Sequence, residues 1–197
     1  MKNTVLLVVL IFVIGVHTHY GQSVRSIDKN EWLVSVGVNA INSQGSKSPF
    51  GSISDWAFRF PLAVGVETKW TRLFSLEIAA NLNGFEEGAA LDAAGPPDDD
   101  LVYLSLDANL KYYFGEYIFK NAEWLDFYAL AGIGYFDLDG GNLSANVGGG
   151  AMIWVNSNKT FALKPQVVGK FAFNHSNKGS VYANNHIQFN MMAVIKL

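Results

Sequence analysis

Cysteine is absent from this sequence of 197 residues. The chain can therefore form no disulfide framework, no thiolate metal site and no thiol nucleophile. Stability has to come from packing and backbone hydrogen bonding. A Gly-rich phosphate loop, a zinc-ligand spacing and a redox motif are missing as well. We therefore expect no bound cofactor.

A surplus of basic residues is also lacking. Lysine and arginine together number 14, against 17 aspartate and glutamate residues, so the formal net charge is −3. A nucleic-acid-binding chain needs a basic face, and this composition does not supply one. Nucleic acid is not an expected partner.

No apolar run reaches the roughly 20 residues that a helix needs to span a bilayer. The longest run, residues 5–16, follows Lys2 and precedes small and polar residues around Gly21. This arrangement predicts an export signal over residues 1–21. The remaining residues, 22–197, are predicted to form one domain, because the hydrophobic content of 50% supplies apolar surface for a single closed structure.

Alternation of apolar and polar residues with a period of two dominates the rest of the chain. Between Val102 and Phe114 every second residue is apolar or aromatic, whereas the intervening row carries Asp107, Asn109 and Lys111. Eight segments are predicted to be strands: residues 31–41, 58–70, 74–83, 102–114, 125–137, 143–155, 161–173 and 186–197. Glycines blur the alternation in some of them, as the curvature of a narrow barrel requires. The pattern predicts an all-β fold, an eight-stranded antiparallel up-and-down β-barrel.

The apolar row could face inward, as in a soluble lipocalin-like barrel that binds a ligand, or outward into lipid. The polar row is rich in Gly, Ala, Ser and Asn, which suits a crowded lumen better than a water-exposed wall. Aromatic residues gather near the predicted strand ends, as the interfacial girdles of a membrane barrel require. They are Trp32, Trp70, Tyr112, Phe114, Trp124, Phe127 and Trp154 at one end, and Phe58, Phe60, Tyr135 and Phe173 at the other. The sequence therefore favours a transmembrane barrel surrounded by outer-membrane lipid and lipopolysaccharide.

The connections between the predicted strands vary in length in a way typical of outer-membrane barrels, whose long loops face outside. The long connections are residues 42–56, 84–100 and 175–185, and they alternate with short or medium ones. The tight turn at Asp139, Gly140 and Gly141 is the exception. This alternation predicts a bacterial outer-membrane location with both termini in the periplasm.

With these features the chain resembles the OmpA-like outer-membrane β-barrel family. The resemblance covers roughly residues 32–197 and implies a small eight-stranded barrel. It rests on the hairpin at 67–80 (ETKWTRLFSLEIAA), on Gly132, Gly134 and Tyr135, on the glycines at 148–150, and on the closing strand at 184–197 (NNHIQFNMMAVIKL). The chain departs from the family at Leu197, where many such barrels carry a terminal phenylalanine.

Charged residues fall on the row that is predicted to face the lumen. They could line a conductive path or form a packed network of paired charges. An eight-stranded barrel has room only for side chains, and an unpaired buried charge is unfavourable, so the sequence favours the paired network over a general porin. These residues are Arg59, Glu67, Lys69, Glu77, Asp107, Lys111, Lys164 and Lys170.

A segment near the C-terminus, residues 173–185 (FNHSNKGSVYANN), holds a nucleophile beside a base. It distantly resembles the lipid A 3-O-deacylase family, also small barrels, whose motif is His-x-Ser-Asn followed by an acidic residue. Here His175 and Ser176 are adjacent, and no Asp or Glu follows Asp139. These weak catalytic candidates lack the third member that orients a histidine. We expect no enzyme activity, and a lipid A-modifying enzyme is the alternative.

The loop of residues 84–100 is acidic. Asp98, Asp99 and Asp100 are weak metal-ligand candidates, because their oxygen atoms could bind Ca²⁺ or reach lipopolysaccharide through a bridging cation. No EF-hand spacing is present, and runs of charge are usually solvated. The expected function is therefore a structural or surface-recognition role carried by the extracellular loops, since loops on a rigid barrel are free to vary.

Overall fold

The computed structural model describes residues 31–43, 50, 53–91, 95–174 and 182–197. The export signal predicted over residues 1–21 lies outside this part of the chain. The described residues form a closed barrel in which each strand pairs antiparallel with its sequence neighbour and β1 closes against β8. The prediction of an eight-stranded antiparallel barrel is confirmed.

The strands are β1 (Glu31–Asn42), β2 (Leu62–Lys69), β3 (Phe74–Phe85), β4 (Leu101–Tyr113), β5 (Leu125–Leu138), β6 (Gly141–Trp154), β7 (Phe161–Ala172) and β8 (His186–Lys196). A short helix, α1 (Gly115–Ile118), follows β4, and a turn of 3-10 helix at Ile53–Asp55 precedes β2. Within the described ranges, no helix is long and apolar enough to cross a membrane. We call the end where β1 begins and β8 ends the terminal end, and the opposite end the loop end.

The apolar row of each strand faces outward. Along β4 the outward residues Val102, Leu104 and Leu106 are 59%, 50% and 56% exposed, whereas Tyr103 and Ser105 between them are fully buried. The same alternation continues round the barrel. An apolar band of this extent is unfavourable in water and matches the hydrocarbon region of a bilayer. The soluble lipocalin-like arrangement, with its apolar row inside, is therefore wrong.

Aromatic side chains frame this band at both ends. Trp32, Trp70, Tyr112 and Trp124 are exposed at the terminal end, and Phe58, Phe60, Tyr135 and Phe173 are exposed at the loop end. Trp154, predicted to join the first girdle, packs instead against a buried apolar cluster in the interior, because the even-numbered residues of β6 point inward. The remaining aromatic residues give the barrel the two girdles of a membrane protein.

Strand β2 begins at Leu62, later than predicted. Pro61 has no backbone N–H to donate to a neighbouring strand, and the N–H of Leu62 turns back to the carbonyl of Phe60 at 2.7 Å. Only Ala57 keeps a bridge to β1, at Ile41. Residues 58–61 consequently lie at the rim of the barrel and not in its wall.

The tight turn between β5 and β6 has the residues that its geometry demands. Asp139 and Gly140 have φ angles of 52° and 136°, a region that Gly adopts freely and Asp tolerates. The Asp137 carboxylate accepts the Gly140 N–H at 3.0 Å and fixes the turn. The other three connections at the loop end are long. This turn is therefore the short connection that the sequence predicted among them.

Apolar clusters close the interior at both ends. One, at the loop end, consists of Ile41, Ala57, Phe85, Leu91, Tyr103, Phe136, Leu138, Ala172 and Ala183. The other, toward the terminal end, consists of Leu33, Tyr113, Tyr128, Leu130, Met152, Ala162, Val168 and Val194. Buried polar and charged side chains fill the space between them. The core of this barrel is therefore polar in the middle and apolar at its two closures.

Candidate functional site: the interior charge network and the two mouths

Two glutamates face each other on neighbouring strands inside the barrel. Glu67 on β2 pairs directly with Glu77 on β3, a placement of like charges that is unfavourable without compensation. Lys111 on β4 supplies it, because its Nζ lies 2.8 Å from Glu67 Oε2 and 2.9 Å from Glu77 Oε1. Lys164 on β7 reaches across the interior to Glu77 and donates to Ser35 Oγ at 3.1 Å. One network thus joins β1, β2, β3, β4 and β7.

Neutral donors complete the coordination of Glu67. Ser75 Oγ and Tyr113 OH each donate to Glu67 Oε1 at 2.6 Å. Charge-assisted hydrogen bonds of this kind stabilise a buried carboxylate. Glu77 is less complete, because its Oε2 is the one buried side-chain oxygen or nitrogen of the described residues without a hydrogen bond.

A second charge pair lies nearer the loop end. Lys170 Nζ on β7 is 2.5 Å from Asp107 Oδ1 on β4. Asn146 Nδ2 donates to the same oxygen at 2.9 Å, and Ser105 Oγ donates to Oδ2 at 3.3 Å. Both charged residues are buried. Each carboxylate oxygen of Asp107 thus accepts at least one hydrogen bond from a protein group.

The interior network is neutral in total. It combines the carboxylates of Glu67, Glu77 and Asp107 with the ammonium groups of Lys111, Lys164 and Lys170, and each of these six residues is at most 4% exposed. The structure therefore brings six of the eight sequence-predicted lumen residues together inside the barrel. Each of these charges lies beside a charge of opposite sign. They form no solvent-filled path lined by charges of one sign.

Arg59 is not part of this network. It lies at the rim, because β2 begins only at Leu62, and its guanidinium forms an ion pair with Asp100. Asp100 also accepts the backbone N–H of Glu87 at 3.1 Å. The hydrogen bond from Arg59 is the main reason that the pKa of Asp100 is below its ordinary value of 3.8. The pair ties the second loop to the segment before β2.

The three predicted metal-ligand candidates do not converge. Asp98 and Asp99 are exposed, and the carboxylate of Asp100 is engaged by Arg59 and Glu87. In the part of the chain that the structure describes, no group of three or more metal-ligating residues is arranged to hold an ion.

The catalytic candidates His175 and Ser176 lie outside the described residues. The histidine next to that segment, His186, is buried in the barrel wall. Its Nδ1 faces the carbonyl of Asn184 at 2.9 Å, and its Nε2 lies 2.8 Å from Tyr103 OH. A carbonyl only accepts, so Nδ1 carries the proton and Nε2 accepts from the tyrosine. Both ring nitrogens are therefore engaged in hydrogen bonds within the interior near the loop end.

Each end of the barrel opens into a recess. The recess at the terminal end has a volume of about 380 Å³, with Tyr113 among its lining residues. The recess at the loop end has a volume of about 440 Å³ and lies between residues 53–59 and 84–89. Trp56, which lines the second recess, stacks on outward-facing Phe189 of β8, with ring centroids 4.6 Å apart and an interplanar angle of 6°. The first loop is thus fastened to the outer wall.

Neither a protein-family model nor a curated protein matches the chain. Solved structures do. The NMR structure of outer membrane protein W of Escherichia coli is 14% identical, with 87% of this chain and 100% of that chain covered and a TM-score of 0.51. Outer membrane protein OprG of Pseudomonas aeruginosa is 12% identical, with 86% and 96% covered and a TM-score of 0.51. Neisserial surface protein A is 12% identical, with 85% and 96% covered and a TM-score of 0.50.

At these identities the likeness concerns the fold. The chain has the OmpA-like fold of the small eight-stranded outer-membrane barrels. With its outward apolar band and its aromatic girdles, this is the architecture of a small outer-membrane β-barrel protein.

Proposed function

We propose that this protein is a non-conducting barrel of the outer membrane that acts through its loops, in a structural or surface-recognition role. The buried, charge-neutral network of the interior carries this proposal. Six charged side chains are held by one another, and apolar clusters lie on either side of them. Ion passage would require breaking buried pairs, which is strongly unfavourable. The interior therefore acts as packing, and recognition is left to the ends.

The loop end is the better surface for recognition. It carries three long connections, and long loops on a rigid barrel are free to vary without loss of the fold. Its recess of about 440 Å³ combines the aromatic rings of Trp56 and Phe58 with the acidic Glu86 and Glu87. We propose that this end faces the outside and that both termini are periplasmic, because long loops face outward in barrels of this class.

We also propose that the protein has no catalytic activity. His186, the one histidine among the described residues, is buried and uses both ring nitrogens in hydrogen bonds inside the barrel. The test is the lipid A of cells that express the wild type or His175→Ala. We expect identical lipid A by mass spectrometry. Loss of an acyl chain with the wild type alone would replace this proposal with a lipid A-modifying enzyme.

Membrane fractionation with heat-modifiable gel mobility tests the location. We expect the protein in the outer-membrane fraction, with a mobility that changes on boiling. A soluble protein without such a change would contradict the membrane assignment. Planar bilayers containing the refolded protein should show no steady conductance. A stable open channel would contradict the proposal that the interior is packed and non-conducting.

Epitope tags test the orientation. A tag between Asp98 and Asp99 should be labelled by antibody on intact cells, whereas a tag after Leu197 should need permeabilised cells. Both sites are exposed, so each insertion leaves the barrel interior untouched. The reverse labelling pattern would show that the loop end faces the periplasm.

A further inference from the structure

Two lysines that line the terminal-end recess form no ion pair among the described residues: Lys120, which is exposed, and Lys69, which is partly buried. Lys69, at the end of β2, points its ammonium at the ring of Tyr113, with Nζ 4.0 Å from the centroid. Among the residues that the structure describes, it forms no ion pair. The other cations that line the recess near strand ends are paired: Lys196 with Glu31 at 2.5 Å, Lys159 with Glu123 at 3.9 Å, and Arg72 with Glu116.

The nearest acidic side chain on the same face of β2 is already engaged. Glu67 lies two residues before Lys69 and therefore on the same inward row. Its carboxylate accepts from Lys111, Ser75 and Tyr113. Asp126, the half-buried carboxylate beside Lys69 in the recess, accepts the N–H of Gly115 at 2.9 Å and does not come within ion-pair distance of Lys69. The aromatic ring compensates the charge in part, since the face of a ring attracts a cation.

The space above Lys69 suits a small ligand. The recess has a volume of about 380 Å³, and Lys69 lies inside it beside Tyr113 and half-buried Asp126. An ammonium has three donors and no acceptor, so it can hold several oxygen atoms of one anion. Lysine binds phosphate in this way, as a point charge.

We propose that the terminal-end recess binds a phosphate group, with Lys69 as its charge partner. The site is separate from the loop-end surface of the proposed function. The same chemistry could be presented by free phosphate or by an anionic phospholipid headgroup. The experiment below separates these two sources.

The full mature barrel, refolded in a maltoside detergent at low salt, is titrated with inorganic phosphate and followed by NMR. Saturable shifts are expected at Lys69 and Tyr113, and they should weaken with added sodium chloride because salt screens the charge. Lys69→Gln should weaken binding by about tenfold or more, the loss of one charge-assisted hydrogen bond. Lys120→Gln, which removes an exposed lysine of the same recess, should leave binding nearly unchanged.

Lys69→Arg keeps the charge and should keep binding, so it separates loss of charge from loss of fold, and heat-modifiable mobility checks each variant. Replacing phosphate with phosphatidylglycerol in the micelles tests the lipid source. Shifts of the same residues that Lys69→Gln abolishes would assign the site to a headgroup. Shifts confined to the outer wall, together with no saturation by phosphate, would overturn the proposal. Equal losses in Lys69→Gln and Lys120→Gln would also overturn it.

Discussion

The carboxylate of Asp107 occupies the space in the barrel interior where a side chain of Gly134 would lie. A methyl group on Gly134 would lie 2.0 Å from Asp107 Oδ1, closer than any real contact between such atoms. The missing side chain lets the carboxylate reach Lys170 and Asn146 at once. Gly134 of β5 therefore makes room for the charge pair that Asp107 of β4 forms with Lys170 of β7.

Gly134→Ala should destabilise the barrel because the added methyl group displaces Asp107 from this position. We expect a loss of about 1–3 kcal/mol in the free energy of unfolding, as for other overpacked interiors. Urea unfolding followed by tryptophan fluorescence measures it. Gly169→Ala is the matched control, since its methyl group would meet its nearest atom at an ordinary 3.5 Å. Equal effects of the two variants would show that glycine flexibility, and not the space beside Asp107, matters.

Asp107→Asn should leave the ammonium of Lys170 buried without a counterion. Breaking a buried pair in this way costs about 3–5 kcal/mol. The same urea unfolding experiment applies, with exposed Asp98→Asn as the control that should change stability little. Adding Lys170→Gln to Asp107→Asn removes the stranded charge and should recover part of the loss. Additive effects of the two substitutions would contradict a direct pair.

Trp56→Ala should loosen the first loop from the barrel wall. The stack on Phe189 is worth about 0.5–1.5 kcal/mol beyond its buried area. We expect faster tryptic cleavage after Lys47 in the refolded protein. Phe58→Ala is the control, because Phe58 is 60% exposed and forms no ring contact within the described residues. Phe189→Ala removes the ring contacts with both Trp56 and Phe50, whose centroids lie 4.6 Å and 5.8 Å away, so it should speed cleavage at least as much as Trp56→Ala. Unchanged cleavage in Phe189→Ala would contradict the anchoring of the loop on this ring.

The ion pair of Arg59 and Asp100 should hold the second loop at neutral pH and release it in acid. The pKa of Asp100 is lowered in the folded state, so the contribution of the pair is present above the ordinary value of 3.8 and is lost as the pH falls through the lowered value. A carboxyl-carbon NMR titration should therefore place the midpoint of Asp100 below 3.8. Arg59→Gln should move that midpoint upward.

The shift in Arg59→Gln should be incomplete, because the N–H of Glu87 still donates to Asp100. Arg72→Gln provides the control, since Arg72 pairs with Glu116 at the other end of the barrel. A midpoint of Asp100 that moves equally in both variants would show a general charge effect in place of the specific pair.

Much of the architecture could be predicted from local pattern. The alternation from Val102 to Phe114 located β4 and assigned its faces, and the same reasoning placed Glu67, Asp107 and Lys111 on the inward row. Period-two alternation depends only on backbone geometry, so it requires no knowledge of partners. The pattern failed at two places. At Pro61, the missing backbone N–H ends the pairing, so β2 begins later than the alternation predicted. At Trp154, the preceding glycines obscured which residues of β6 face inward.

The sequence by itself determined the class of the fold: eight strands, an outward apolar face and a polar interior, without cysteine chemistry. Only the tertiary structure decided which charges meet. Lys164 and Glu77 are 87 residues apart and meet across the interior once the barrel has closed. The same closure leaves Lys69 facing a ring and not a carboxylate. Strand register and closure are properties of the whole sheet, and a linear pattern of residues does not contain them.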